Sequence, residues 1–330
     1  MRVIPARDLR ALVPMKDAIA AVREGFIELS AGRATVPLRS HVPVAEHDGT
    51  LLAMPAYLGA AGGLGAKLVT VFPHNRQRGL PTIFATVLLL DAQTGEPAAL
   101  IEGSSLTALR TGAAGGLAAD LFALPDAGIV ALFGAGVQGR AQLEAACAVR
   151  RITQVRVVDR QAASAEAFVR WAQEQPWLGG ATVLAVTDPA AAVRGAEIII
   201  TATTSAEPVF PATGVGPGAH VTAVGAYTPS TREVPGELVA RSAIFVDSRA
   251  AALAEAGDLV LAIRQGLITP EGIRAEIGEV ASGTAPGRTG SSEVTFFKSV
   301  GHAVQDLAVA RLALARASAA GRGVLVDLGG

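Results

Sequence analysis

Gly128-Ile129-Val130-Ala131-Leu132-Phe133-Gly134-Ala135-Gly136-Val137-Gln138-Gly139 joins an apolar run to three closely spaced glycines. The run has the length and composition of a buried strand, and residues Gln138 to Val149 continue as an alanine-rich helix. Between strand and helix each glycine has a distinct task. Gly134 permits the tight turn, Gly136 lets the backbone approach a ligand, and Gly139 lets helix and strand pack closely. The helix then points its first N–H groups at an anion. A glycine pattern alone is weak evidence. Here a second strand, Val155 to Asp159, ends in a carboxylate twenty residues beyond Gly139. An acid at that place accepts hydrogen bonds from ribose hydroxyls and repels a 2′-phosphate. Strand, loop, helix and acid together read as a dinucleotide-binding Rossmann unit that prefers NAD(H). Arg160, at the same edge, keeps NADP(H) possible.

Working outward, apolar strands alternate with helices after Pro125-Asp126: Ile129–Phe133, Val155–Asp159, Val183–Ala185, Glu197–Thr203, His220–Gly225 and Ala243–Asp247. That alternation predicts a doubly wound parallel sheet of the α/β class. Upstream, a helix is expected over Met15 to Leu29, stopping at Ala31-Gly32. Strands are expected over Leu64–Phe72, Thr82–Asp91 and Pro97–Glu102, separated by turn residues as in an antiparallel meander. A helix from Ser104 to Phe122 leads out of them, and a last helix, Val300 to Ala319, returns to the first domain. The expected division is therefore a discontinuous α+β substrate-binding and dimerisation domain, residues 1–122 and 300–330, and a Rossmann domain, residues 123–299.

The 330 residues carry a net charge of −1, which offers no basic face to nucleic acid or an anionic membrane. Half are hydrophobic, but the strongest apolar run, Ile83 to Leu90, is far short of a membrane span. Residues Met1 to Arg10 lack the apolar stretch of a signal peptide, so a cytoplasmic protein is expected. Cys147 is the single cysteine and reads as a small buried side chain. The five histidines, His41, His47, His74, His220 and His302, show no metal-ligand spacing, and no metal is implied. Three cations interrupt apolar sequence: Arg39 after Val36-Pro37-Leu38, Lys67 within Leu64–Val69, and Arg110 after Leu106–Leu109. Singly, each reads as a surface side chain with a buried stem. Converging, they would make a carboxylate pocket, because a buried cation needs an anion.

Seven elements occur in one order: Val36-Pro37-Leu38-Arg39, Met54-Pro55-Ala56-Tyr57, Gly65-Ala66-Lys67, Gly79-Leu80-Pro81-Thr82, Leu106-Thr107-Ala108-Leu109-Arg110-Thr111, Gly134 to Gly139, and Phe296-Phe297-Lys298-Ser299-Val300-Gly301. Together they resemble the ornithine cyclodeaminase/mu-crystallin family over nearly the whole chain. The resemblance implies a homodimer joined through the first domain. It implies that Arg39 and Lys67 hold a substrate carboxylate, with Val300 also at the substrate. Arg110 would stand between substrate and nicotinamide, with Thr82 and Ser299 near the cofactor. Val137 and Gln138 would meet the pyrophosphate and Asp159 the ribose. Thr203, Val221, Thr222, Ala223, Val224 and Thr231 would line the rest of the dinucleotide. The sequence departs from the cyclodeaminases of the family at two places. Tyr227 stands where they carry an aspartate, and Leu52 where they carry a glutamate. Both changes remove carboxylates that would hold a diamino acid's ammonium groups, and Thr228-Pro229-Ser230-Thr231-Arg232-Glu233 is more similar to the imine reductases and amino-acid dehydrogenases. The expected reaction is reduction of a carboxylate-bearing imine such as Δ1-pyrroline-2-carboxylate, with Lys67, Arg110 and Tyr227 as candidate catalytic groups. Ornithine cyclodeamination, alanine-type dehydrogenation and a non-catalytic ligand-binding role are the alternatives.

Overall fold

The computed structural model describes residues 1–59 and 62–329. They form two compact units, Met1–Arg110 with His302–Gly330, and Thr111–Gly301. The first segment contains strands β1 (Arg2–Ile4), β2 (Ala34–Thr35), β3 (Ser40–Val44), β4 (Gly49–Leu58), β5 (Gly63–Val71), β6 (Ile83–Asp91) and β7 (Pro97–Glu102). Its helices are α1 (Ala6–Leu12), α2 (Met15–Ser30) and α3 (Gly103–Phe122), the last running on into the second unit. The division falls inside α3, between Arg110 and Thr111, rather than at its end as expected. Arg110 bonds within the first unit, whereas the Thr111 carbonyl accepts from Gln142 in the second.

The second unit holds β8 (Ile129–Phe133), α4 (Val137–Val149), β9 (Gln154–Val158), α5 (Ala162–Gln173), β10 (Thr182–Ala185), α6 (Pro189–Val193), β11 (Ile198–Thr201), β12 (His220–Ala223), α7 (Gly236–Ala240) and β13 (Ala243–Val246). It continues with α8 (Arg249–Glu255), α9 (Gly257–Arg264), β14 (Ile273–Glu276), α10 (Ile277–Ala281) and β15 (Thr295–Lys298). All eight strands are parallel, in the order β10-β9-β8-β11-β12-β15-β13-β14. The chain reverses its winding between β8 and β11, the place where doubly wound sheets bind ligands. Two strands, β14 and β15, were not expected. Thr295-Phe296-Phe297-Lys298 is only four residues long, yet it inserts between β12 and β13 with both phenylalanines fully buried.

The returning tail adds α11 (Ala303–Ala319) and β16 (Val324–Leu325). The helix begins three residues later than the expected Val300, because Gly301 takes a left-handed φ of 82° and breaks the helical path. In the first unit the sheet runs β16-β1-β7-β6-β5-β4-β2, with β3 on β4. Alternation buries Leu52, Met54, Ala56 and Leu58 of β4, and Val87 and Leu89 of β6, on the face against which α11 packs. Gly65 permits that approach. A Cβ there would lie 2.2 Å from the Leu88 carbonyl oxygen and 3.1 Å from a Leu307 methyl. Lys67 follows Gly65 by two residues and so shares the face covered by α11. No helix among the described residues is long and apolar enough to cross a membrane.

Candidate carboxylate and dinucleotide sites

In the first unit, Lys67 and Arg110 are buried and meet one carboxylate, Asp306. Lys67 Nζ lies 3.0 Å from Asp306 Oδ1 and 2.9 Å from Oδ2. Arg110 Nε donates to Asp306 Oδ1 at 2.9 Å, and its Nη1 donates to Gln305 Oε1. Asp306 lies in the first turn of α11, where the helix dipole also favours an anion. Burial alone would raise the Asp306 carboxyl, but Arg110 and Lys67 hold it below the usual carboxylate range. For Lys67 it is the neutral form that gains. Burial first, then the charge of Arg110, brings its pKa down from 10.5 to about 8; Asp306 opposes this and Arg39 adds to it. Arg39 is half-buried and close enough to be felt electrostatically by Lys67. Two cations on one acid leave a surplus positive charge in a low-dielectric place, which suits a carboxylate ligand.

In the second unit the three loop glycines separate by physical need. Gly134 has φ 102°, and a Cβ there would lie 2.4 Å from the Ala202 carbonyl oxygen. At Gly139 a Cβ would come within 2.0 Å of the Gly134 oxygen. Gly136 is different: its φ is −84° and a Cβ would meet nothing within 4 Å. The protein's own packing does not require glycine there. The open space lies at the N-terminus of α4, whose first N–H groups have no carbonyl in the helix. That is the cradle a pyrophosphate fits. Val137 beside it is 70% exposed and Gln138 is half-buried. Asp159 accepts from Ala135 N–H and Gln161 N–H, each at 2.9 Å, which anchors the loop and still leaves lone pairs for ribose hydroxyls. Arg160 is exposed.

The strand ends around this loop are organised by buried acids, of which the sequence reading had passed over Asp258. Glu233, fully buried, accepts four hydrogen bonds: Thr203 N–H at 2.6 Å, Thr203 Oγ1 at 2.8 Å, Gly225 N–H at 2.7 Å and Ala226 N–H at 3.0 Å. It ties the loop after β11 to the loop after β12. Asp258 accepts from the N–H groups of Glu233 and Val234 and forms a buried 2.8 Å ion pair with Lys298 at the end of β15. Burial, with the charge of Asp258, raises the Glu233 pKa against the opposing field of Lys298. Asp247 accepts from Ser299 Oγ, Val300 N–H and Gly301 N–H, each at 2.9 Å, and so shapes the turn after β15. The Glu233 signal was present in Arg232-Glu233. Asp306 carried the same cue as the cations, a charge inside the apolar run Ala303-Val304…Leu307-Ala308.

The remaining expected residues fall as follows. Thr203 and Thr231 are half-buried in the loops after β11 and β12, and Thr231 Oγ1 pairs with Thr228 Oγ1 at 2.9 Å. Val221, Thr222 and Ala223 are buried inside β12, and Thr222 Oγ1 bonds the His220 ring at 2.9 Å, so Val224 is the residue at the strand's open end. Ser299 and Val300 are buried in the turn beyond β15. Thr82 is half-buried just before β6. Tyr227 lies in the loop after β12 with 41% of its surface exposed, and Leu52 is a buried core residue of β4. His220 is held between Thr222 and Thr295, and burial, with Arg288 and Arg150, lowers its pKa to about 3, so it is a neutral structural group. Burial pushes the Cys147 thiol up to about 12.

The model of the ornithine cyclodeaminase/mu-crystallin family matches residues 2–321. Over 328 residues, 99% of this chain and 100% of the relative, the sequence is 41% identical to a Δ1-pyrroline-2-carboxylate reductase of Bacillus cereus. Among solved structures, the Thermococcus litoralis Δ1-pyrroline-2-carboxylate reductase in complex with NADH and L-proline matches with a TM-score of 0.94 at 39% identity, covering 99% of this chain and 100% of that one. An archaeal alanine dehydrogenase dimer with bound NAD matches with a TM-score of 0.93 at 32% identity, covering 100% and 99%.

Proposed function

The chain belongs to the ornithine cyclodeaminase/mu-crystallin family, and we propose that it reduces a carboxylate-bearing cyclic imine, Δ1-pyrroline-2-carboxylate, to proline with a nicotinamide cofactor. The observation that carries this reading is the surplus cation of the buried Lys67–Arg110–Asp306 cluster, which suits a single substrate carboxylate. Arg39, Lys67 and Arg110 bind that carboxylate and orient the ring. Holding the reacting carbon in one pose is the main catalytic contribution. When bound, the reduced nicotinamide supplies the hydride to the imine carbon. The nitrogen arrives protonated as an iminium, so the chain need not provide a strong acid; Lys67 or a water replaces the proton otherwise. Tyr227 offers a hydroxyl to the nitrogen or packs on the ring. With Leu52 and Tyr227 in place of carboxylates, a diamino acid finds no acid for its second ammonium.

The cofactor is held by Gly134, Gly136, Val137, Gln138 and Gly139 at the pyrophosphate and by Asp159 at the ribose, which makes NADH the preferred donor and leaves NADPH, aided by Arg160, possible. Thr203, Val224, Thr231 and Ser299 complete its lining. The first unit's outward sheet face is apolar, with Tyr57, Leu68 and Phe84 each at least 40% exposed. A patch of that kind marks an interface, and we assign it to a homodimer working in the cytoplasm. Light scattering should give twice the chain mass, and Leu68→Asp should give monomers.

The deciding experiment follows nicotinamide absorbance with Δ1-pyrroline-2-carboxylate, with pyruvate plus ammonium, and with ornithine plus NAD. Fast NADH oxidation by the cyclic imine alone is expected. Release of ammonia and proline from ornithine at a comparable rate would restore the cyclodeaminase reading, and preference for pyruvate would make the protein an alanine-type dehydrogenase.

A further inference from the structure

We infer that Asp306 is the positioning residue of the substrate pocket: holding Lys67 and Arg110 on one carboxylate, it decides which of their N–H groups face the substrate. The inference rests on the proposed carboxylate-binding role of these two cations. Its basis is a count of donors. A guanidinium has five N–H groups, and Arg110 spends its Nε on Asp306 and one Nη1 hydrogen on Gln305. The Nη2 edge and the second Nη1 hydrogen remain, in a plane that two acceptors on α11 have fixed. An ammonium has three N–H groups, and the two Asp306 oxygens stand 3.0 and 2.9 Å from Lys67 Nζ, so one or more N–H remains for a ligand. Gln305 is itself fixed, because its Oε1 accepts both Arg110 Nη1 and the His302 N–H that opens α11. The start of one helix thereby sets the direction of two side chains that come from a strand and from another helix.

Asp306 also controls a charge. The groups that act on Lys67 are Arg110 of α3, Arg39 from the segment before β3, and Asp306 of α11. Both arginines, with burial, favour loss of the Lys67 proton; Asp306 alone retains it. Without the carboxylate, Lys67 would be neutral at a lower pH and the pocket would lose a cation when it is needed.

Two variants separate positioning from simple stabilisation. In Asp306→Asn, KM for the imine should rise at least about tenfold and the alkaline fall of kcat/KM should move about one to three pH units lower. Titration of the substrate itself cancels in the comparison with wild type. L-Proline affinity, measured by calorimetry, should fall in parallel, while NADH affinity should stay within about twofold. Asp306→Glu keeps the charge and displaces it by one methylene, so KM should rise about fivefold or more with the alkaline limb in place. It carries the test if the Asn variant does not fold. A pH profile of the Asn variant that superimposes on wild type, or an unchanged KM in the Glu variant, overturns the role of Asp306. If the wild-type protein neither binds L-proline nor reduces the imine, the proposed function fails and this inference with it.

Discussion

Each unit buries a triad of ions, and the two triads carry opposite surpluses. In the first, Lys67 and Arg110 share Asp306, a net positive charge. In the second, Lys298 pairs with Asp258 while Glu233 lies beside them, a net negative charge. Burial costs both alike. They differ in what satisfies the odd ion. Glu233 has four donors at 2.6 to 3.0 Å, all from its own unit, so its charge is consumed in holding strand ends. The surplus cations of the first triad keep N–H groups that no acceptor among the described residues takes. A triad whose odd ion is satisfied from within its unit serves the fold; the one whose odd cation is not is the place proposed for a substrate carboxylate.

The largest effect should come from breaking the second triad. Asp258→Ala removes the ion-pair partner of Lys298, leaving only Glu233 near it, and removes the acceptor of two buried N–H groups. About 3–5 kcal/mol of stability should go, read as a lower denaturant midpoint. If this variant folds normally and loses only turnover, the contrast between the triads is wrong. Lys67→Met is the converse. Asp306 keeps Arg110, so folding should be spared, whereas a lost charge-assisted hydrogen bond of roughly 1.5–3 kcal/mol lowers kcat/KM about tenfold or more. NADH affinity should not change. The same residue sets a pH signature. With its pKa near 8 in the folded chain, Lys67 is charged below that pH and neutral above it, so L-proline affinity should weaken as pH rises through about 8. Stability runs the other way: between about 8 and 10.5 the unfolded lysine holds a proton the folded one has lost, so rising pH favours the folded chain through this group.

The glycine loop sharpens the contrast between architecture and binding inside one motif. Gly139→Ala places a methyl against the Gly134 carbonyl and should cost about 1–3 kcal/mol of stability. Gly136→Ala has open space and should alter stability by less than about 0.5 kcal/mol while raising KM for NADH. Equal stability losses would show that Gly136 serves the fold. Asp159→Ser should act on cofactor choice. It should move the kcat/KM ratio toward NADPH by about tenfold, roughly 1.4 kcal/mol, and a wild-type preference for NADPH would refute the role given to the acid.

The dinucleotide half was legible because its parts are local. Gly134, Gly136, Gly139 and Asp159 lie within one strand–helix–strand stretch, and their tasks follow from backbone angles and from the register of β8 and β9. The carboxylate half was legible only as suspicion. Lys67 and Arg110 stood out as charges in apolar sequence, but their partner is 239 and 196 residues away. Glu233 was read only as part of the Thr228–Glu233 run and Asp258 went unnoticed, because an acid's place in the sequence does not show that it is buried among donors; β15 was missed because four residues carry too little pattern to show a strand.

Periodicity and glycine chemistry therefore determined, from the sequence by itself, a parallel α/β unit with a glycine turn at a helix N-terminus and an acid at its edge. These depend on interactions between neighbours along the chain, which any fold of the segment must satisfy. The tertiary structure alone decided where the Rossmann order admits β15, which carboxylate each buried cation meets, and that the odd ion of one triad, Glu233, is fully hydrogen-bonded while the odd cation of the other is not. Those outcomes are set by the docking of α11 on β5 and of β15 between β12 and β13, and the energy of a buried charge depends on the atoms a few ångströms away rather than on its place in the sequence.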